Sequence, residues 1–173
     1  MKTRSIGFWT IATLTGSLFA APVAHSATEL FSANLSGENE VPPINTAGLA
    51  TFHMDLGSTI TFSISFSGLS AAPVVAHLHF APTKVNGGVT IFLCGGGGQP
   101  ACPATTSGTI TGTITAANVV GPIAQGISPG DLDSALEAVR AGLAYANMHT
   151  LNFPGGEIRG QVRRGDSKDI GLP

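Results

Sequence analysis

TITFSISFS, residues Thr59–Ser67, alternates apolar and hydroxyl side chains at every position. Residues two apart in a β-strand share a face, so this pattern predicts a strand that buries Ile and Phe and exposes Ser and Thr. The segment Ala50–Leu56 alternates in the same way, and the turn residues Gly57 and Ser58 between the two segments predict a hairpin. Such one-sided alternation is typical of an antiparallel sheet with one face on a core and one in water.

The rest of the chain continues as short strands separated by turns, with one change of period. Further strands are predicted at residues 30–35, 74–80, 89–93, 109–115, 145–150 and 157–162. Apolar residues at helical spacing predict a single helix over 132–141, with Asp131 as its N-cap and Gly142 at its end. The expected fold class is therefore all-β, an antiparallel Greek-key β-sandwich or barrel with one short helix.

The first 26 residues have the pattern of a secretory signal peptide. A short basic start precedes an uncharged run over 6–21, and small residues precede a cleavage position after Ser26. We therefore expect one domain over 27–163 and a flexible polar C-terminal tail over 164–173. An uncleaved membrane anchor is the alternative, although the uncharged run is shorter than the about 20 apolar residues that span a bilayer.

Composition favours an exported β-protein that is secreted or periplasmic. Only 10% of the residues are charged, whereas glycine contributes 23 of the 173 residues. The net charge is −2, and the only basic cluster is Arg163-Arg164, so nucleic acid is not an expected partner. Beyond the N-terminal segment no stretch is apolar for long enough to cross a membrane, so no stable span is expected in the mature chain.

Two cysteines, Cys94 and Cys102, flank a loop that begins with four consecutive glycines, residues 95–98. Export places the pair in an oxidising compartment, and a flexible loop can bring the two Cα atoms to bonding distance. We therefore predict one disulfide that pins this loop. A pair of metal-binding or redox thiols is the alternative, although the spacing is wider than that of a C-x-x-C motif.

Three histidines form the candidate metal site. His77 and His79 share a face of the predicted strand 74–80, and His149 lies in the apolar run 143–150. His149 can join the other two only if its strand neighbours theirs in the proper register. Imidazole is the commonest protein ligand of transition metals, so His77, His79 and His149 predict a copper or zinc site. A hydrogen-bonded structural histidine cluster without metal is the alternative.

Charged residues near both ends of the predicted domain suggest a structural contact. Glu157, Arg159 and Gln161 alternate along the last predicted strand, and Glu40 lies beside the Pro42-Pro43 turn. We predict an ion pair between Glu40 and Arg159 that locks the first loop against this strand, with a catalytic carboxylate as the alternative. Nucleophile elbow, phosphate-loop and dinucleotide motifs are absent from the sequence.

Three segments together resemble the CHRD domain family. They are FSANLSGENEVPP at residues 31–43, AHLH at 76–79, and a closing segment at 147–161 that contains NMHT and PGGEIRGQ. The resemblance covers about Leu30–Val162 and implies an extracytoplasmic, immunoglobulin-like β-sandwich without implying a settled biochemical activity. The glycine-rich insert between the two cysteines departs from the family pattern.

The sequence is compatible with three functions. The leading interpretation is an exported, non-enzymatic CHRD binding module, with copper or zinc held by the three histidines. The second is a metal-dependent redox or hydrolytic enzyme that uses the same site, which an open ligand position beside a pocket would favour. The third is a structural or adhesive module without metal, whose surface binds an extracellular protein or a polysaccharide.

Overall fold

The computed structural model describes residues 28–165, so the predicted signal peptide and residues 166–173 of the predicted tail lie outside the described residues. The described part of the chain is built mainly of short β-strands. In chain order they are β1 (Glu29–Ser36), β2 (Leu49–Leu56), β3 (Ile60–Ser67), β4 (Pro73–Phe80), β5 (Gly88–Cys94), β6 (Gly108–Ile114), β7 (Ala144–Thr150), β8 (Ile158–Gln161) and β9 (Arg163–Arg164).

These strands form one antiparallel sheet in the order β5-β4-β7-β8-β1-β2-β3-β6, with β9 paired to β1. The sheet curves until its two ends, β5 and β6, come into contact, which makes it a nearly closed barrel. β3 pairs with β6 rather than with β4, so the chain crosses over in a Greek-key manner. The predicted all-β fold with one short helix is confirmed.

The hairpin predicted from residues 50–67 is formed by β2 and β3. Phe52 pairs with Ile64 and Met54 pairs with Phe62, so the apolar side chains of both strands enter the barrel interior together. These four side chains are at most 4% exposed. The alternate positions carry the polar face, where the hydroxyls of Ser65 and Thr109 lie 3.3 Å apart.

The helix α1 (Leu132–Arg140) lies in the connection from β6 to β7, as the change of period predicts. The Asp131 carboxylate accepts a 3.1 Å hydrogen bond from the Ser134 amide, which caps the first turn. Ala135 and Val139 are buried in the core, whereas Arg140 donates a 2.8 Å hydrogen bond to Glu29 at the start of β1. No helix within residues 28–165 is long and apolar enough to cross a membrane.

Cys94 and Cys102 are joined by a disulfide with a Cα–Cα distance of 5.0 Å, in agreement with the predicted bond. The bond closes the loop that follows β5. Inside the loop the Gly95 amide donates to the Pro100 carbonyl at 2.8 Å, and the Gln99 amide donates to the Gly96 carbonyl at 2.9 Å. The glycine insert is therefore an ordered element at the end of the barrel where β5 faces β6.

The strand β7 is buried on both faces, unlike the half-exposed strands β2 and β3. All seven of its residues are buried, although Tyr145, Asn147, His149 and Thr150 are polar or amphipathic. One face of β7 lines the barrel core through Ala146 and Met148, so the other face must be covered from outside. This second, outward-facing buried layer contains the histidines.

Candidate metal centre

The pairing of β4 with β7 decides which side chains meet on the outer face. Directly paired residues share a face of an antiparallel sheet, and the pairs here are Val75 with His149, His77 with Asn147, and His79 with Tyr145. His149 therefore lies on the same face as His77 and diagonally next to it. His149 can meet the other two histidines only in such a register, and the structure shows this register.

The three imidazole rings form one compact cluster. The ring centroid of His77 lies 4.6 Å from that of His79 and 4.6 Å from that of His149, and His79 and His149 are 6.2 Å apart. One ring nitrogen from each histidine lies within 4.8 Å of the others. Each residue is only 6–8% exposed, so the cluster is nearly closed to solvent.

Backbone carbonyls determine the tautomer of two of these rings. Nδ1 of His79 lies 2.9 Å from the Gly87 carbonyl oxygen, and Nδ1 of His149 lies 3.0 Å from the Pro154 carbonyl oxygen. A carbonyl can only accept, so each Nδ1 carries the proton and each Nε2 of the neutral ring has a free lone pair. This arrangement, in which the second ring nitrogen is held by a carbonyl, is typical of metal-ligating histidines.

One buried nitrogen of each ring has no hydrogen-bond partner among the described residues. These nitrogens are Nδ1 of His77, Nε2 of His79 and Nε2 of His149, and all three are buried. A buried polar atom without a partner is uncommon in a folded protein, and three of them at one place call for a shared explanation. A cation bound between the lone pairs would satisfy all three.

Burial keeps the cluster in its neutral form. Desolvation, with the charges of His79 and His149 as smaller causes, lowers the pKa of His77 to about 3. Desolvation also lowers the pKa of His79 to about 4, although its hydrogen bond to Gly87 opposes the shift. The pKa of His149 is lowered for the same main reason. All three imidazoles are therefore unprotonated near neutral pH, which is the form that binds metal.

Aromatic rings enclose the cluster on two sides. The Tyr145 ring stacks on His79 at 4.6 Å with an interplanar angle of 3°, and the Phe92 ring stands edge-on to His77 at 5.2 Å. The Tyr145 hydroxyl accepts a 3.3 Å hydrogen bond from the amide of Gly87, whose carbonyl binds His79. A single residue of the β4–β5 loop thus positions both rings of the stack.

A buried ion pair lies next to the histidines on the same face. Arg159 Nε donates to Glu40 at 2.7 Å, which confirms the predicted contact between the first loop and the last predicted strand. The Asn147 amide also donates to Glu40, at 2.5 Å, and Arg159 donates to Asn86 at 2.7 Å. The Arg159 guanidinium covers the Tyr145 ring at 4.5 Å, so the network continues into the aromatic stack.

The glycine of the closing motif has a steric role in this network. Gly156 has φ +123°, and a Cβ at this position would lie 2.7 Å from Glu40 Oε1 and 2.9 Å from the Asn147 amide. Only glycine allows the β7–β8 loop to approach so closely. The same loop supplies the Pro154 carbonyl that binds His149, so the motif both closes and orients the cluster.

Glu157 is bound by a second set of polar groups, separate from the ion pair. It precedes β8, and its carboxylate accepts hydrogen bonds of 2.6–2.8 Å from Thr46, Ser70 and Thr150. Burial alone would raise the pKa of Glu157, but these hydrogen bonds outweigh that effect and lower it. Glu157 is therefore held by hydroxyl groups at the start of β8, outside the pair that Glu40 forms with Arg159.

A fourth histidine lies outside the cluster, and three further residues line it without a signal in the sequence. His53 lies on the polar face of β2, paired with Ser63 and outside the cluster. Tyr145 and Asn147 lie four and two residues before His149 and therefore on its face, but the sequence does not mark them as site residues. Phe92 becomes recognisable only once β4 is known to pair with β5.

Three neutral imidazoles from two adjacent strands are a suitable ligand set for zinc or copper. Zinc–nitrogen bonds of about 2.0–2.1 Å place the ligand nitrogens of a tetrahedral site about 3.3 Å apart. The three ligand nitrogens here lie within 4.8 Å of one another. A fourth position would remain for water or for another ligand.

The fold and the site together define a class: an all-β barrel-like domain with a buried three-histidine cluster outside its core. The family model described as CHRD domain matches residues 31–162. The chain belongs to the CHRD domain family. Neither the curated proteins nor the solved structures contain a match to this chain. Family membership and the intramolecular disulfide are compatible with an extracellular location.

Proposed function

We propose that the protein is an exported binding module that holds one copper or zinc ion through His77, His79 and His149. The observation that carries the proposal is the convergence of three buried ring nitrogens, none with a hydrogen-bond partner among the described residues. Two of the rings already have the tautomer that presents Nε2 to an ion.

A metal-free structural cluster explains these nitrogens less well. Histidines that serve only for packing are normally hydrogen-bonded at each buried nitrogen, and a buried acceptor left alone costs about 1–3 kcal/mol. Three such nitrogens add three of these free-energy costs, whereas one cation bound to all three would remove them. The carbonyl contacts of His79 and His149 also prevent their rings from turning the other nitrogen inward.

Burial favours a binding role over catalysis. The three histidines are 6–8% exposed, and the loops that carry Glu40, Gly87 and Pro154 contact the side chains of this face. A substrate needs access to the open coordination position, whereas a stored or structural ion does not. We therefore propose that the domain holds its ion rather than turning over a substrate at it.

Export is part of this proposal, and the N-terminus of the secreted protein tests it. The basic start, the uncharged run and the small residues before Ala27 are the sequence support, and the disulfide agrees with an oxidising compartment. Mass spectrometry of protein recovered from outside the cytoplasm should find a new N-terminus near Ala27. Intact protein that begins at Met1 and stays in the membrane fraction would contradict cleavage and indicate an anchor.

Calorimetric titration tests the metal site itself. We expect wild-type protein to bind one equivalent of zinc or copper(II). His77→Ala and His149→Ala should each weaken binding by more than about 100-fold, since loss of an outer-shell partner alone weakens metal sites by about 10–100-fold. His53→Ala is the matched control, because His53 lies outside the cluster, and it should bind as the wild type does. Equal affinity in all four proteins would refute the proposal, as would failure of the wild-type protein to bind zinc, copper(II) and copper(I) alike.

A further inference from the structure

The proposed ligand set carries no negative charge. The cluster that can surround one ion within residues 28–165 consists of His77, His79 and His149 alone, with no carboxylate and no thiolate among them. Neutral imidazoles leave the charge of a bound ion unchanged. A zinc or copper(II) ion here would keep a charge of +2, whereas copper(I) would keep +1.

The carboxylates nearest in the fold are already committed to other partners. Glu40 accepts from Arg159 at 2.7 Å and from Asn147 at 2.5 Å, so it forms a neutral pair with the arginine. Glu157 is occupied by the hydroxyls of Thr46, Ser70 and Thr150. The Arg159 guanidinium lies 4.5 Å from the centre of the Tyr145 ring, which in turn stacks on His79. Glu40 acts electrostatically on His149, but its charge is already balanced by Arg159, so little of it remains to compensate a divalent ion.

Little water surrounds the cluster, so solvent screens the charge of a bound ion only weakly. The histidines are nearly closed to solvent, and the Phe92 and Tyr145 rings flank them at 5.2 Å and 4.6 Å. The cost of burying an uncompensated charge grows with the square of that charge, so a divalent ion is penalised about fourfold more than a monovalent ion of equal size.

We infer that the three-histidine centre selects copper(I) over copper(II) and zinc(II), an inference that rests on the proposed metal-binding function. Coordination number favours the same ion. Zinc seeks a fourth ligand in a tetrahedral arrangement, and copper(II) seeks a flatter site with four or more donors. Copper(I) has a filled d shell and is satisfied by three nitrogen donors in a near-trigonal arrangement. The chain supplies three such donors.

Competition titrations on the wild-type protein test this selectivity. Copper(I) affinity is measured without oxygen against the chromogenic chelator bicinchoninate, and copper(II) and zinc(II) affinities are measured against nitrilotriacetate. We expect the dissociation constant of copper(I) to be lower than that of either divalent ion by at least about tenfold. Tighter binding of zinc(II) or copper(II) would overturn the inference and leave the proposed function standing. Failure of all three ions to bind would overturn both.

Two variants of equal shape isolate the charge. His149→Asp adds a carboxylate to the ligand set, and His149→Asn places a neutral amide of the same size there. The preference for copper(I) over zinc(II) should be smaller in His149→Asp than in His149→Asn by at least about tenfold, because only the first compensates a divalent charge. Equal preferences in two folded variants would overturn the charge argument. Circular dichroism verifies folding, and the wild-type comparison decides the matter if either variant unfolds.

Discussion

His79 illustrates how a single main-chain contact prepares a side chain for metal binding. Its Nδ1–H donates to the Gly87 carbonyl oxygen, 2.9 Å from Nδ1, which leaves Nε2 with a buried lone pair and no partner among the described residues. Pro154 does the same for His149 at 3.0 Å. From sequence alone, an ordinary histidine pKa predicts that metal affinity falls as the pH drops through about 6.5. Burial changes this expectation.

Metal affinity should fall far less between pH 7.5 and 5.5 than three ordinary histidines predict. The lowered pKa values, about 3 for His77 and about 4 for His79, mean that an entering ion displaces no proton from these rings in this range. Three ordinary imidazoles would lose about a thousandfold in zinc affinity over the same two pH units. Zinc competition titrations at pH 7.5, 6.5 and 5.5 measure the difference, and a loss near a thousandfold would contradict the burial of the site.

The free energy of unfolding of the metal-free protein, unlike its metal affinity, should fall markedly in acid. The folded histidines stay neutral, whereas the unfolded chain takes up protons below pH 6.5, so the unfolded state binds more protons. The free energy of unfolding should therefore fall as the pH is lowered from about 6.5 towards 4. Urea unfolding at the same pH values provides this control and shows that the titrated protein is folded.

At the scale of elements, the strands themselves could be predicted from sequence, but their partners could not. The two-residue period located each of β1 to β8 to within one or two residues of its observed ends. Nothing in that local pattern shows that β4 pairs with β7, which begins 64 residues after β4 ends, and the convergence of His149 depends on this pairing. The 3₁₀ turns at 37–39, 116–118 and 123–125 and the two-residue strand β9 also had no periodic signal.

The packing of the glycine insert, residues 95–98, explains why this loop contains glycine. Gly97 has φ +55°, and a Cβ there would lie 2.7 Å from the Phe92 ring. The disulfide closes this loop, and the Asn118 amide donates to the Gly97 carbonyl at 2.9 Å. The insert therefore packs against Phe92, whose ring is perpendicular to that of His77. The sequence predicted the disulfide but not that its loop packs against a neighbour of the histidine cluster.

The ion pair between the first loop and β8 should contribute strongly to stability. Glu40 and Arg159 have side chains only 3% and 7% exposed, so Glu40→Gln leaves a buried guanidinium without its counter-charge. We expect a loss of about 3–5 kcal/mol in the free energy of unfolding, measured by urea denaturation. The double variant Glu40→Gln with Arg159→Met should lose less than the sum of the two single variants.

An exposed ion pair on the same molecule serves as the control for that measurement. Glu29 pairs with Arg140 at 2.8 Å, but the arginine side chain is 47% exposed. Glu29→Gln should cost far less than Glu40→Gln because water solvates both partners when the pair is broken. Similar losses in the two variants would show that the Glu40 contact is not the buried structural link described here.

At the scale of the whole molecule, the barrel supports two buried layers. Its interior is a conventional apolar core, with Phe31, Phe52, Ile64 and Met148 almost inaccessible to solvent. The outer face of β4, β7 and β8 carries the second layer of histidines, Tyr145 and the ion pair, covered by loops from three parts of the chain. Alternation predicted the first layer. The second layer could not be predicted in full, because the loops that cover it have no periodic sequence pattern.

The central claim is that His77, His79 and His149 together bind one metal ion, and diffraction from zinc-loaded crystals tests it most directly. Data collected at the zinc absorption edge locate the ion without reference to the fold. We predict a single strong anomalous peak between the three rings, with each ligand nitrogen at about 2.0–2.1 Å from it. Anomalous density that lies only on surface carboxylates, or a cluster that stays free of density at saturating zinc and, in separate crystals, at saturating copper(I), would contradict the account.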